Sequence, residues 1–345
     1  MNILVVGGAG YVGSVIVSEL VESGHSVRVF DDLSTGYLSN IHPGASFFLG
    51  TLTDATQIFA AMEGIEAVVH CAFKTSAESA NYREQLFWHT NYIGTTNLMN
   101  AIILNNVKKL VVSSTCKIYK PIKNKKITEK NKTQPEDIFS VTKKSVDDML
   151  LNFANTRDIN ITILRYFDAY SAHKSEVFGY IYNRNKNEDD FILNTIKNIK
   201  NNKLACILNN SNKETKDGTI IRDYLHVSDL AKAHILSIFK QQKNKIEIIN
   251  LGTEKEYTLI DVLKLIEKIS NKKIKIILKK EKINNFPKLI SSNKKAKNLL
   301  DWKPEKTLEN IVQDLYDCIN TKIKKTKITK KPKNFEFKKI VEDES

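Results

Sequence analysis

Gly7, Gly10 and Gly13 are spaced G-x-x-G-x-x-G, and the chemistry that suits them is the binding of a pyrophosphate. The apolar run 2–6 before them reads as a buried parallel strand, and 15–21 after them as an amphipathic helix. A glycine turn in that context presents backbone N–H groups and the positive end of a helix dipole to an anion. Gly7 permits the tight turn, Gly10 lets the backbone approach the phosphates, and Gly13 lets the helix pack close to the strand. Tyr11 and Val12, inside the same stretch, are expected at the same phosphate site. The spacing departs from the ordinary G-x-G-x-x-G, and a glycine cluster alone is equally a tight turn without a ligand. What decides for a ligand is 27–31, a second strand ending in Asp31, 18 residues past Gly13. A carboxylate there accepts hydrogen bonds from adenosine ribose hydroxyls and repels a 2′-phosphate, which points to NAD rather than NADP. The polar loop Asp32-Leu33-Ser34-Thr35-Gly36 borders the same ribose.

Further polar residues fall at the ends of later strands, where ligands sit in open α/β sheets. Segment 67–72 reads as a strand that delivers Cys71, Ala72, Phe73 and Lys74. Segment 110–115 is a strand ending in the hydroxyls of Ser113, Ser114 and Thr115. The elements that must position these residues alternate: strands at 46–49 and 161–165, helices at 55–62, 82–104 and 141–154, and a lysine-rich loop at 120–133. The expected fold is α/β, a Rossmann-type doubly wound parallel sheet over residues 1–172.

After that the pattern changes. Polar loops at 183–190 and 209–218 flank a helix at 191–200 and a strand at 204–208. Helices at 229–239, 259–269 and 308–319 and strands at 246–251 and 274–278 follow, without internal repeats. Residues 173–319 are therefore expected to form mainly a smaller α/β substrate lobe capping the strand ends.

Composition narrows the class. The 345 residues can bury a substantial core. Cys71, Cys116, Cys206 and Cys318 form no C-x-x-C pair, and the seven histidines show no metal-ligand spacing, so neither a disulfide framework nor a metal site is expected. No charged leader precedes an apolar core and no apolar run approaches a membrane span, so a cytoplasmic protein is the expectation. The net charge of +14 invites a nucleic-acid partner, but its distribution argues otherwise. Residues 321–340 carry nine lysines against one acid, and lysine outnumbers arginine 47 to 6. Readers of base edges favour arginine. Residues 320–345 read as a basic, solvated tail, and neither nucleic acid nor membrane is expected as a partner.

At Arg222-Asp223-Tyr224-Leu225-His226-Val227-Ser228-Asp229-Leu230-Ala231 the pattern becomes specific. It resembles the R-D-Y-x-H-V-x-D-L-A signature of extended short-chain dehydrogenase/reductases acting on nucleotide sugars. Asp217-Gly218-Thr219 and His234 resemble the UDP-glucose 4-epimerase family within that group. Asn91-Tyr92-Ile93-Gly94-Thr95, Ser113-Ser114-Thr115 with Tyr119, Leu164-Arg165-Tyr166-Phe167-Asp168, Asn250-Leu251-Gly252 and Leu300-Asp301-Trp302 agree in order. The resemblance covers residues 1–318.

The resemblance implies an NAD-dependent isomerase that inverts C4 of a UDP-hexose through a 4-keto sugar, as a homodimer pairing through 82–104 and 141–154. In the family a tyrosine and lysine spaced Y-x-x-x-K act with a serine or threonine on the C4 hydroxyl. The tyrosine oxygen takes the proton while hydride passes to NAD and later returns to the other face of the sugar. The lysine lowers the tyrosine pKa and holds the nicotinamide ribose. The hydroxyl maps to Thr115 and the lysine to Lys143. Cofactor contacts are further implied for Thr51, Leu52, Asn91 and Phe167. Substrate contacts are implied for Thr115, Asp168, Asp190, Phe191, Ile207, Arg222, Lys282 and Asn285.

The chain departs from this pattern where the chemistry is done. Four residues before Lys143 stands Phe139, not tyrosine. Three literal Y-x-x-x-K matches exist, Tyr119/Lys123, Tyr170/Lys174 and Tyr182/Lys186, but none opens a helix after the fifth strand. Thr51 replaces an aspartate that serves the adenine, and Asp168 an asparagine that faces the diphosphate. Lys282 and Asn285 replace an arginine and an aspartate. A 4,6-dehydratase would need an acidic pair after Thr115, where Cys116 and Lys117 stand. Two readings remain: an epimerase impaired at Phe139, and a non-catalytic relative that binds NAD or a nucleotide.

Overall fold

The computed structural model describes residues 1–75, 84–122, 125–172, 191–209, 215–240, 245–279 and 288–320. The first half alternates as expected: β1 (Asn2–Val6), α1 (Tyr11–Glu22), β2 (Ser26–Asp31), β3 (Ser46–Leu49), α2 (Ala55–Ala61) and β4 (Ala67–His70). One long helix was expected over 82–104. The described part is α3 (Glu84–Phe87), a π-helical stretch Trp88–Ile93 and α4 (Gly94–Leu104). Then come β5 (Lys109–Thr115), α5 (Ile138–Thr156), β6 (Asn160–Tyr166) and a short β7 (Asp168–Tyr170).

The second half holds α6 (Phe191–Lys200), β8 (Ala205–Asn209), β9 (Ile221–Arg222), β10 (Tyr224–His226) and α7 (Val227–Lys240). They are followed by β11 (Ile246–Leu251), β12 (Tyr257–Thr258), α8 (Leu259–Ser270), β13 (Lys275–Lys279), β14 (Lys288–Leu289), α9 (Lys294–Leu300) and α10 (Leu308–Asn320). The expected loop at 183–190 and the tail 321–345 lie outside the described residues.

Seven strands form one parallel sheet in the order β11-β6-β5-β4-β1-β2-β3. The chain order reverses between β1 and β4, so this is the Rossmann-type doubly wound sheet, with its crevice at the C-terminal ends of those two strands. The central strands are apolar without alternation because helices cover both faces: all of β4 and four of the five residues of β1 are buried. Val5, Val69, Val111 and Leu164 pack toward α1 and α7, while Leu4, Val68, Val112 and Ile163 pack toward α2, α4 and α5. The seventh strand, β11, and the helix before it, α7, come from beyond residue 172 and complete the dinucleotide-binding half. A second core unites α6, α8 and α10 through Ile192, Ile196, Val262, Ile266, Ile311 and Leu315.

The signature at 222–231 is explained by the joints between these bodies. The fully buried Asp223 carboxylate accepts from the backbone N–H groups of Thr253 (2.6 Å), Glu254 (3.1 Å) and Ser291 (3.0 Å), and from both hydroxyls of Thr253 and Ser291 at 2.6 Å. A Cβ on Gly252 would stand 2.5 Å from Asp223 Oδ2, so only glycine fits beside it. His226 Nδ1 accepts from the Ser228 N–H, and its Nε2 faces Ser171 Oγ at 2.7 Å and Asp314 Oδ2 at 2.9 Å. Asp229 Oδ2 accepts from the N–H groups of Glu305 and Lys306. These side chains tie α7 and β10 to the C-terminal segment.

Candidate cofactor and active site

The glycine turn joins β1 to α1, and its shape is set by contacts a side chain would break. Gly7 has φ +80°, and a Cβ there would come within 2.6 Å of Ala72 N. A Cβ on Gly13 would meet the Gly7 carbonyl oxygen at 2.1 Å. The N-cap of α1 is Gly10, which brings no side-chain acceptor to the helix start, where Tyr11 and Val12 form the first turn. Such a cradle fits a pyrophosphate. Gly36 closes against it, since a Cβ there would lie 2.8 Å from Ala9.

Asp31, at the end of β2, binds the turn to this loop. Its Oδ2 accepts from the Ala9 N–H (3.0 Å) and its Oδ1 from the Leu33 N–H (2.8 Å). Burial pushes its pKa up, and the two N–H donors oppose that. An ionised carboxylate has about four acceptor positions, so two are left for ribose hydroxyls. Asp32 Oδ1 accepts from the Ser34 N–H, and Leu33 sits at φ +57°, which turns the loop. Lys74 Nζ reaches across the crevice to Ser34 Oγ at 3.3 Å. Next to β3, the Thr51 hydroxyl meets that of Thr53 at 3.0 Å, and Leu52 is buried against α4. The residues present thus fit the adenosine diphosphate half of NAD.

The other half of a dinucleotide must run from the glycine turn over the ends of β4 and β5. There the fully buried Asn91, in the π-helical stretch, clamps the chain by accepting from Lys74 N–H (2.7 Å) and donating to the Lys74 carbonyl (3.2 Å). It also donates to Thr142 Oγ1 on α5 at 3.0 Å. Helix α5 begins with a capping box between Asp137 and Ser140, and this fixes Phe139 and Lys143 one turn apart. Lys143 is 3 % exposed. Its Nζ donates to the Ser113 carbonyl at 2.7 Å and the Ser113 hydroxyl at 3.3 Å. The Phe73 ring covers it, with the centroid 2.9 Å from Nζ, and the Phe139 ring lies 5.9 Å away. Burial depresses the Lys143 pKa well below the usual lysine range, and Asp147 and Cys71 oppose that.

Thr115, at the tip of β5, accepts from the Lys117 N–H at 3.2 Å and so caps the turn after the strand. Burial raises the Cys71 thiol to about 12, against the pull of Lys143. Burial likewise raises the Cys116 thiol. Sequence reasoning did not single out the Tyr166 phenol as a site group. Ser113 is its hydrogen-bond partner, and burial raises its pKa well above the ordinary phenol value. The signal was its place opposite Thr115 in the parallel register.

A buried polar chain, also unforeseen, holds α5 to the sheet. Asp147 Oδ2, one turn beyond Lys143, pairs with Arg165 at 2.9 Å. Arg165 donates to Tyr119 Oη at 3.0 Å, and Tyr119 donates to Asn250 Oδ1 at 2.7 Å. Tyr119 is thereby a structural tyrosine, completely buried.

The substrate candidates are brought together in part. Asp168 Oδ2 lies 3.4 Å from Arg222 Nε. Burial raises the Asp168 pKa, opposed by Arg222 and Lys117. Phe191 opens α6, and Ile207, on β8, is 59 % exposed. Phe167 is buried among Cys116, Ile118, Tyr119 and Leu289 and contributes to that core. Asp190, Lys282 and Asn285 lie outside the described residues. Among the described residues no group of acids, cysteines and histidines is arranged to hold a metal, and no helix is long and apolar enough to cross a membrane.

Comparison with known proteins agrees with this geometry. Residues 3–252 match the model of the NAD dependent epimerase/dehydratase family. The UDP-glucose 4-epimerase of Corynebacterium glutamicum is 32% identical over 317 residues, 92% of this chain and 95% of that protein. The structure of UDP-glucose 4-epimerase from Stenotrophomonas maltophila, with bound NAD and formylated UDP-arabinopyranose, superposes with a TM-score of 0.87 at 25% identity, covering 92% of this chain and 97% of that one. The Thermotoga maritima enzyme with UDP-glucose gives a TM-score of 0.79 at 27% identity, covering 92% and 98%. The chain belongs to the NAD dependent epimerase/dehydratase family, and over most of its length it is similar to the UDP-glucose 4-epimerases.

Proposed function

We propose that the protein is an NAD-dependent nucleotide-sugar epimerase of the UDP-glucose 4-epimerase type, with its proton-transfer step crippled at position 139. One observation carries this: an intact cofactor cradle, Gly7 to Gly13 with Asp31, stands beside a phenylalanine one turn before the buried Lys143. NAD, when bound, supplies the hydride acceptor and donor of the reaction. The glycine turn and the start of α1 hold its phosphates, and Asp31 its adenosine ribose. The Thr115 hydroxyl orients the C4 hydroxyl of the hexose, and Lys143 supplies the positive charge that favours its ionised form. Phe139 can neither take nor give a proton, so in the native chain the C4 hydroxyl's proton leaves to water, directly or through the Thr115 hydroxyl. A positioned acid/base contributes about 10²- to 10⁴-fold, and that factor is what the native chain lacks. Arg222 faces the diphosphate, with Asp168 beside it. Phe191 and Ile207 line the lobe side, and the family resemblance adds Asp190, Lys282 and Asn285 as substrate contacts.

The test is a coupled assay of UDP-glucose/UDP-galactose interconversion by the native protein and by Phe139→Tyr. The expected result is slow native turnover that tyrosine raises about 10²-fold or more. Native turnover at the level of the tyrosine variant would remove Phe139 as the cause of impairment. The contact of Phe73 with Lys143 favours a second reading, a non-catalytic NAD-binding relative, in which tyrosine restores nothing. We also infer a cytoplasmic homodimer. It pairs through the α3–α4 stretch and α5, where Trp88, Tyr92, Met149 and Phe153 line an open groove with Trp88 37 % exposed.

A further inference from the structure

Lys143 has three N–H donors and no free direction. Two point at Ser113, to its carbonyl at 2.7 Å and its hydroxyl at 3.3 Å. The remaining side is closed by the Phe73 ring at 2.9 Å. A second phenyl, Phe139, stands 5.9 Å off. The Phe73 ring is itself backed by the His70 ring, with centroids 4.3 Å apart. The chain that carries Phe73 is pinned, because Asn91 clamps both the N–H and the carbonyl of Lys74. Phe73 can therefore leave Lys143 by rotating its side chain, while its backbone stays in place.

The position of this contact in the sheet gives it a role. Phosphates at the Gly7–Gly13 turn and a ribose at Asp31 direct one half of the dinucleotide toward β2. The other half must cross the ends of β4 and β5, which are Cys71 to Lys74 and Ser113 to Thr115. The phenyl ring lies on that path. Resting on the reading of the crevice as an NAD site, we infer that Phe73, which covers Lys143, competes with the nicotinamide ribose for its ammonium, so that Phe73 sets how far the protein prefers NAD to the mononucleotide half alone. The adenosine half never meets the ring, so ADP binding is independent of it.

The experiment is titration calorimetry of the full-length protein, freed of bound nucleotide, with NAD and with ADP. Native protein, Phe73→Ala and Phe73→Leu are compared. A desolvated cation–π contact is strong enough to be read as a change on the order of tenfold. Phe73→Ala is expected to bind NAD roughly tenfold tighter than the native chain, with ADP unchanged within about twofold. Phe73→Leu keeps apolar cover on His70 but has no π face, and is expected to gain roughly threefold for NAD. Unchanged ADP binding shows that the cradle is intact in each variant. An NAD-to-ADP affinity ratio that stays at its native value, or falls, in both variants overturns the proposal. Binding of neither ligand by any form overturns the NAD reading itself, and the proposal with it.

Discussion

Two single side chains, Phe139 and Asp168, bear most directly on the proposed reaction. Phe139 fills the volume of a phenol without its oxygen, and the nearest described phenol facing Lys143's partner Ser113 is Tyr166, whose pKa burial has raised. A buried phenol with a raised pKa is scarcely ionised at neutral pH, the form a proton acceptor would need. The second side chain is Asp168. It stands where the family has an asparagine that faces the diphosphate, and its Oδ2 lies 3.4 Å from Nε of Arg222, the cation proposed to face that group. A nucleoside diphosphate at Arg222 therefore competes with a carboxylate already present. Asp168→Asn keeps the shape and removes the competitor, and calorimetry should show UDP binding about fivefold tighter, about 1 kcal/mol. Weaker UDP binding in that variant would assign Asp168 to orienting Arg222 instead.

At the scale of elements, α5 does two jobs on opposite faces. Its inner face carries Phe139, Lys143 and Asp147, and the buried Asp147–Arg165 pair, with side chains 1 % and 4 % exposed, locks the helix in register with β6. Its outer face carries Met149 and Phe153, which meet Trp88 and Tyr92 across a groove open to solvent. Trp88 and Tyr92 pack edge to face, with centroids 5.9 Å apart, so the aromatic face is already ordered. Sedimentation of the native protein should give a dimer, and Trp88→Glu should weaken it by about a hundredfold, since a charge would be buried at an aromatic anchor. A native monomer at micromolar concentration sinks the dimer. The elements were legible where local pattern specifies them: the glycine turn, the strand ending in Asp31, and Ser113 to Thr115 are short-range features. The cover of Phe73 on Lys143 joins residues 70 apart in the chain, and the Asp147–Arg165–Tyr119–Asn250 chain spans three elements and the segment after β5. Neither has a local signature. The two-residue strands β9, β12 and β14 were missed because they are too short for alternation to show.

At the scale of the molecule, the sheet reaches across the expected boundary at 172/173 because β11 can bury its apolar face only beside β6. That closure also buries α7 and with it His234, whose ring is tilted 60° against that of Tyr166 with centroids 5.8 Å apart and whose Nδ1 lies 3.0 Å from the Leu230 carbonyl oxygen. Among the described residues its Nε2 has no hydrogen-bond partner, nor has His70 Nδ1 on the other face. Burial lowers the His234 pKa from 6.5 to about 4, and lowers that of His70 well below 6.5. The unfolded chain therefore takes up these protons first as pH falls. The stability associated with the neutral rings is complete above pH 6.5 and is lost progressively toward pH 4. Asp31, Asp147 and Asp168 have raised values and act with the opposite sign above about pH 3.8, so the bare pH profile mixes both. Comparing the native chain with His234→Gln isolates one histidine. Urea unfolding at pH 7 and pH 5 should show the native protein losing about 2 kcal/mol more over that interval than the variant, whatever their difference at pH 7. Equal losses would mean that His234 keeps its proton as readily folded as unfolded, which would require solvent or an acceptor at Nε2 and an α7 less tightly closed on the sheet.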